Sequence, residues 1–449
     1  MSAAADHIDS SWCVAGREQR VPWQLVAPFA ALHLLMFGYD LSHPDRFLNA
    51  DRATERMHVI KGLGETWQSG GGIPAYLTKH GIVGDWLPQA LLYLTGGQYL
   101  VIAVQVLLVL LSIVWVRDIG LRLGLGSPRA SAAAALYGIL PHSLVFPHQL
   151  ASEAISVPLV ILSFAVCVRA MLSAAQGRGG LAMGLATLVR PVTMAWPVIY
   201  AIFAPIGSRA RIAYLIAALA PLVLWMGLMY AETGVFSMGQ SGHDLSHNLY
   251  GRAMRMTASM PAVEREALEV SAEGRMSLSE YARFVIDHPG AAAAHSARDL
   301  AAIGLKSGVE RIVLDYLDLF PQSRATLQDP EAGWRAKVEQ EGAIGALADI
   351  FRQNPGLMTI SIGGSLLFAG FMICSALGAL VWLREKAPRD TYRFRLLLIG
   401  FALYIAAMAQ AVDAVQSRQR APAEFALCLM AVAALPLFRR RRRAAQPDV

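Results

Sequence analysis

The chain has 449 residues, of which 55% are hydrophobic and only 16% charged, and its mean hydropathy is +0.43. Soluble globular chains carry about 25% charged residues, and a chain this long would normally show polar surface on several domains. That surface is missing, which excludes a cytosolic enzyme, a disordered chain and a secreted disulfide scaffold. The net charge of +6 does not form a patch for nucleic acid. The arginines recur between apolar runs, and five make up the tail segment Arg439 to Arg443, a pattern of membrane topology. Of the four cysteines, Cys13 precedes the first apolar run and Cys167, Cys374 and Cys428 lie inside such runs, so no disulfide framework is expected.

In chain order, the first twenty residues are polar and mixed in charge. The run from Val21 lacks a convincing cleavage site and reads as a retained signal anchor. A membrane span needs roughly 17–25 mostly apolar residues. Such runs occur at about 21–39, 98–116, 130–147, 153–173, 180–207, 210–230, 357–383, 394–413 and 421–438. Arg190-Pro191 interrupts the fifth run, and proline both removes a donor and disfavours helix just before itself. Splitting that run into two short spans gives about ten. With both termini inside, the short loops that hold Arg117, Arg122, Arg129, Arg169, Arg178, Arg209, Arg211, Arg384 and Arg389 all become cytoplasmic.

This topology predicts an all-α polytopic membrane protein in three parts. Residues 1–230 form a transmembrane module whose first outer loop is 40–97. Residues 231–356 form an outer helical region, and 357–449 hold the last spans and a basic cytoplasmic tail. The Ala- and Glu-rich stretch 262–305 reads as helix broken at Pro289-Gly290. Segments 300–318 and 343–352 look amphipathic. There is no fixed-period repeat, and no period-2 pattern of the kind a barrel needs.

Most of the unusual polar residues then fall on the outer side: Asp51, Arg52, Glu55, His58, Asp85, His142, His148, Glu153, Arg190, His243, Asp244, His247, Arg418, Arg420 and Glu424. Ionisable groups at membrane depth are costly and tend to be functional. Carboxylates beside arginines suit a reaction on a lipid-linked phosphate. In the stretch 49–58, helical spacing would put Asp51, Glu55 and His58 on one face and Arg52 and Arg56 on the next, with Ala53, Met57 and Ile60 as an apolar stripe against lipid. One reading is a general base beside a phosphate-neutralising arginine. The other is an interfacial helix with a solvated, salt-bridged face, and both remain open. Ser152-Glu153 is good helix N-cap chemistry. His243-Asp244-x-x-His247 would pair two metal ligands on a helix, but Gly242 and its polar neighbours argue for a loop. Arg418 and Arg420 precede Ala421-Pro422, where they either bind phosphate or snorkel.

The order of these residues resembles the GT-C glycosyltransferase superfamily, in particular the bacterial branch related to protein O-mannosyltransferases and aminoarabinose transferases. Asp51 lies where that family carries an acidic motif in its first outer loop. Gly84-Asp85-Trp86-Leu87-Pro88-Gln89-Ala90-Leu91 followed by Gln105, Leu140-Pro141-His142, Ser152-Glu153, Gly184-Leu185-Ala186-Thr187-Leu188-Val189-Arg190-Pro191, Thr233-Gly234-Val235-Phe236 with Asn248-Leu249-Tyr250, and Ser417-Arg418-Gln419-Arg420-Ala421-Pro422 are similar to its later motifs. The likeness is collinear over about 40–430.

The resemblance implies a GT-C-like fold and an inverting transfer of sugar from a polyprenyl-phosphate donor to a hydroxyl on an extracytoplasmic glycan, lipid or protein, in the cytoplasmic (inner) membrane of a bacterium. Asp51 would be the general base, with Glu55 and Asp85 as substitutes. Arg190, Arg418 and Arg420 would hold the donor phosphate, with Arg52, His58, His148, Glu153 and His243 as further substrate contacts. The family allows for a divalent cation, magnesium or manganese. Two other classes fit less well. A lipid or polysaccharide transporter predicts polar groups near the bilayer midplane. An O-antigen polymerase or ligase relies on a large late loop.

Overall fold

The computed structural model describes residues 22–49, 53–80, 83–169, 173–236, 238, 241–257, 275–319, 345, 348–349, 351–410 and 417–437. Among them the regular structure is entirely helical. The first helix, α1 (Trp23–Ser42), buries Val26, Phe29, His33 and Asp40, while Leu34 and Leu35 are 70% and 74% exposed. Its polar residues therefore turn inward and its leucines outward, the arrangement expected where the solvent is lipid.

After a short turn at Pro44–Leu48 come α2 (Ala53–Gln68) and α3 (Ile73–Lys79). The stripe Ala53, Met57, Ile60 and Leu63 of α2 is buried against Phe47, Trp86, Ala90, Val101 and Ile102. The expectation that this stripe rests on lipid is thus corrected: the aromatic rings of the same outer segment cover it. Helix α4 (Val83–Arg122) breaks at Gly96-Gly97, where Gly97 has φ +71, a conformation that only glycine adopts without strain. The break lets the outer piece fold back over the membrane piece, which begins at about 98 as the apolar run predicts.

Helix α5 (Ser127–Ile139) bends by 63° into the short helix α6 (Pro141–Val145) and the turn up to His148. Then come α7 (Glu153–Arg169) and α8 (Ser173–Val189). The helix ends at Arg190-Pro191 as the sequence indicates, with Arg190 in extended backbone (φ −141, ψ 112). The chain returns through α9 (Trp196–Phe203), whose Tyr200 hydroxyl donates to Gln176 Oε1 at 2.9 Å and so lies level with the start of α8. Helix α10 (Ser208–Thr233) then runs parallel to α8. A Cβ on Gly180 or Gly184 would run into the Tyr214 or Ala218 carbonyl respectively, so this small-xxx-small stripe sets backbone against backbone.

Outside the bundle lie α11 (Ser241–Met256), α12 (Leu278–Asp287) and α13 (Pro289–Leu305). The chain breaks at Pro289 as expected, and Ser277 with Glu280 forms a capping box at α12. The stretch 241–247, expected as a loop, is helical in α11. Buried Arg252 ties this region down, reaching Asp299 of α13 at 3.0 Å and Gln410 at 3.3 Å. The last helices are α14 (Pro355–Arg384), α15 (Arg389–Ala409) and α16 (Glu424–Ala433), the last preceded by a tight turn at Ser417–Ala423.

Among the described residues six helices are long and apolar enough to cross a membrane, or seven if the bent pair 127–148 counts as one. The remainder of the expected ten are α7 and α8, 17 residues each, and the shorter apolar segment Pro191–Phe203. Gly184→Leu is expected to disrupt the α8–α10 pair, because backbone cannot yield to a side chain. Overpacking of a tight core costs about 1–3 kcal/mol. Thermal unfolding of the purified protein should shift down, and an unchanged midpoint would show that the two helices are not in register here.

Candidate functional site

The polar side chains converge at one end of the bundle around the broken stretch 140–152, whose residues 149–152 leave helix altogether. Every residue from Val145 to Pro158 is buried. A buried non-helical segment must satisfy its amides and carbonyls from its surroundings, and two glutamines do much of this. Gln89 Nε2 donates to the Ala151 carbonyl at 2.8 Å and to Gln105 Oε1 at 2.7 Å. Gln105 Nε2 donates to the carbonyls of Pro147 at 2.9 Å and Gln149 at 3.0 Å. The Leu150 N–H donates to the Phe47 carbonyl at 2.9 Å. The fold-back at Gly96-Gly97 is what brings Gln89 and Gln105 together.

Three ionic clusters surround this segment. In the first, Glu153, only 2% exposed, is paired with Arg190. Arg418 Nε lies 4.0 Å from the same oxygen, and Arg56 adds a third positive field while donating to the Leu150 carbonyl at 3.3 Å. The side chains of Arg190 and Arg418 each keep 19% of their surface. The carboxylate is thus enclosed, while the two arginine side chains beside it keep part of their surface.

In the second cluster, His142 Nδ1 lies 2.7 Å from Glu424 Oε1, which also accepts from Arg420 Nε at 3.1 Å. Arg420 donates further to the carbonyls of Ile303, Lys306 and Ser307 and stacks 3.7 Å over the Phe368 ring. In the third, His148 Nδ1 meets Asp40 Oδ2 at 2.5 Å, and its Nε2 meets His33 Nδ1 at 2.9 Å. A narrow pocket joins Glu153 to Glu424 between Val109, Phe146 and Pro158. Its free volume is about 10 Å³, at the threshold for a single water, so the pocket as it stands admits nothing larger.

The structure brings Glu153, Arg190 and Arg418 together. It places Glu55 and His58 exposed on α2, while Arg56 of the same helix turns towards Glu153. Two expectations are corrected. His148 is fully enclosed, 0% exposed, so it holds the loop to α1 and offers no surface to a substrate. Arg420, at 2% exposed, does not snorkel and is not open to a phosphate, because its donors are committed to protein oxygens. Asp51 and Arg52 lie outside the described residues. So do the side chains of Asp85 and His243, whose backbones fall in α4 and α11. Read from the sequence, His33 has no role and Gln89 stands only within the family-like stretch 84–91, although a histidine inside an apolar run is a usable signal.

Among the described residues no group of three or more His, Cys, Asp or Glu side chains could hold a metal ion. No protein family, curated protein or solved structure matches the chain.

Arg420→Ala should therefore act on stability. It leaves Glu424 and three carbonyls without their donor, and breaking a buried pair costs about 3–5 kcal/mol. The purified variant should unfold at a clearly lower temperature than Arg418→Gln, measured side by side. Equal unfolding of the two would refute the assignment.

Proposed function

We propose that the chain is a GT-C-type glycosyltransferase of the bacterial cytoplasmic membrane, inverting in mechanism, that transfers sugar from a polyprenyl-phosphate donor to an extracytoplasmic hydroxyl. In this reading α7, α8 and α9 also cross, giving ten spans with both termini inside. The observation that carries it is the Glu153 cluster, an enclosed carboxylate with two partly exposed arginine side chains beside it at the end of the bundle away from the loop arginines. Guanidiniums donate to phosphate oxygens in pairs. Held in place by Glu153, Arg190 and Arg418 stabilise the charge that grows on the departing polyprenyl phosphate without having to reorganise. Arg56 adds to the same field. Asp51 takes the acceptor proton as the hydroxyl attacks.

A second reading, a transporter of lipid-linked sugar, draws on buried His33 near the middle of α1, where polar groups mark transport paths. One kinetic experiment separates the two. In sugar transfer by the purified protein, Asp51→Asn should lower turnover by about 10²–10⁴-fold with donor affinity unchanged. Arg418→Gln should weaken donor use by about 10–100-fold, the value of a hydrogen bond to a charged group. Normal transfer by Asp51→Asn removes it as the base, and a wild-type protein that moves lipid-linked sugar across vesicles without transferring it favours the transporter.

Orientation has its own check. A cysteine replacing Gly71 should react with impermeant maleimide from outside intact cells, and one replacing Ser208 should not, because arginines mark the Ser208 end as cytoplasmic. The reverse labelling would invert the site.

A further inference from the structure

Helix α13 has its polarity reversed. Its buried residues are Ala292, His295, Asp299 and Ile303. Arg252 of α11 meets this polar side, reaching Asp299 at 3.0 Å and donating to Ser296 Oγ at 3.2 Å. The opposite side exposes Ala293, Ala294, Ala297, Leu300, Ala301 and Leu305, the two leucines at 48% and 50%. Arg298, at the edge of that side, is its only charged residue. A helix that met water there would carry polar residues on its outer face. Polar residues inward and apolar residues outward repeat the arrangement of α1, which suits lipid.

The depth at which α13 is held agrees. Helices α14 and α15 are long and apolar enough to cross a membrane, and Arg384 and Arg389 mark their cytoplasmic ends. The hydrocarbon core is about 30 Å thick, which about twenty helical residues cover. Counted from Arg384, that length leads back to Gly364, and any tilt leaves Gly364 deeper. A Cβ on Gly364 would meet Ser307 Oγ at 2.8 Å and Val309 at 3.2 Å. The chain leaving α13 therefore touches α14 at or below the outer edge of the core.

Counted from Arg389, the same length of α15 leads to its last residue, Ala409. The next residue, Gln410, accepts from Arg252 Nη2 at 3.3 Å, and the same nitrogen donates to Ser296 of α13. Ser296 and Ser307 thus lie near one level, although about 16 Å of helix would separate them along an axis. Helix α13 runs along the membrane plane and not out of it. Its outer face also continues a lipid-facing surface. It packs on α14, where Ile360 and Leu367, one turn either side of Gly364, are 37% and 80% exposed. The Arg298 stem can follow the apolar face and bring its guanidinium to a lipid phosphate.

We infer that α13 is a membrane-embedded helix lying flat in the outer leaflet, with Ala294, Ala297 and Ala301 against phospholipid chains. It belongs to the membrane part of the chain and not to a water-borne outer domain, a placement that holds whatever the chain does to sugars.

The test is electron paramagnetic resonance of the full-length protein in nanodiscs of phosphatidylethanolamine and phosphatidylglycerol. A nitroxide is attached at Ala294→Cys, Ala297→Cys or Ala301→Cys in a chain carrying Cys13→Ser and Cys374→Ser, since Cys167 and Cys428 are buried. Oxygen, which concentrates in lipid, should relax all three labels more than a water-soluble nickel chelate does. The preference should match at Ala294 and Ala301, which lie two turns apart on one line of the helix. Stronger relaxation by the chelate means a face open to water and overturns the proposal. A label that neither agent reaches means a face covered by protein, a second copy included, and overturns it as well. So does an oxygen preference that falls clearly from Ala301 to Ala294, the mark of a helix standing out of the membrane.

Discussion

Buried backbone that leaves regular helix is the constraint on which this structure turns. Between α6 and α7 the chain runs buried inside the bundle, and its peptide groups are satisfied partly by nearby backbone, as Leu150 N–H is by the Phe47 carbonyl, and partly by neighbouring side chains. Gln89 and Gln105 answer from α4, His148 anchors the segment to α1, and His142 anchors it to α16. Losing any of these would leave buried polar groups without partners, at about 1–3 kcal/mol each. The glycine break in α4 belongs to the same requirement, since an unbroken helix would carry Gln89 away from Gln105.

The three ionic clusters differ in what they leave open, and this separates enclosed from partly exposed arginines. Arg420 and Arg418 are two residues apart in a sequence that treats them alike. The turn at Ser417–Ala423 sends Arg420 into the bundle, where it receives the carbonyl end of α13 and the charge of Glu424. Arg418 faces Glu153 and keeps part of its surface. Four of the five N–H donors of Arg420 meet protein oxygens and its side chain is 2% exposed, whereas the Arg418 side chain keeps 19% of its surface.

What the sequence makes legible is local. Pro191 announces the end of α8, and the apolar runs mark α1, α10, α14 and α15 to within a few residues. Long-range pairings are not legible. His142 and Glu424 are 282 residues apart, and His33 and His148 are 115 apart, so no spacing rule joins them. The α2 stripe shows the same limit: its period identifies a buried face, but only tertiary packing decides whether lipid or Trp86 covers it. For the 241–247 stretch, the polar turn-like composition was outweighed by the amphipathic run that follows in α11.

The position of Glu153 shows why an acid belongs at this end of the bundle. It is the first residue of α7, where unpaired amides and the helix dipole favour negative charge, so burial there costs less than mid-helix. That charge draws Arg190 from the end of α8 and Arg418 from the approach to α16, two segments more than two hundred residues apart in sequence. The carboxylate thus organises the cations before any ligand arrives. Without it, two guanidiniums side by side would repel and turn to solvent. With it, they stay near each other, as a phosphate with several oxygens would require. A ligand that replaced Glu153 as their partner would have to leave the carboxylate buried alone. In the proposed reading, an anion would add to the cluster from the side on which Arg190 and Arg418 keep part of their surface.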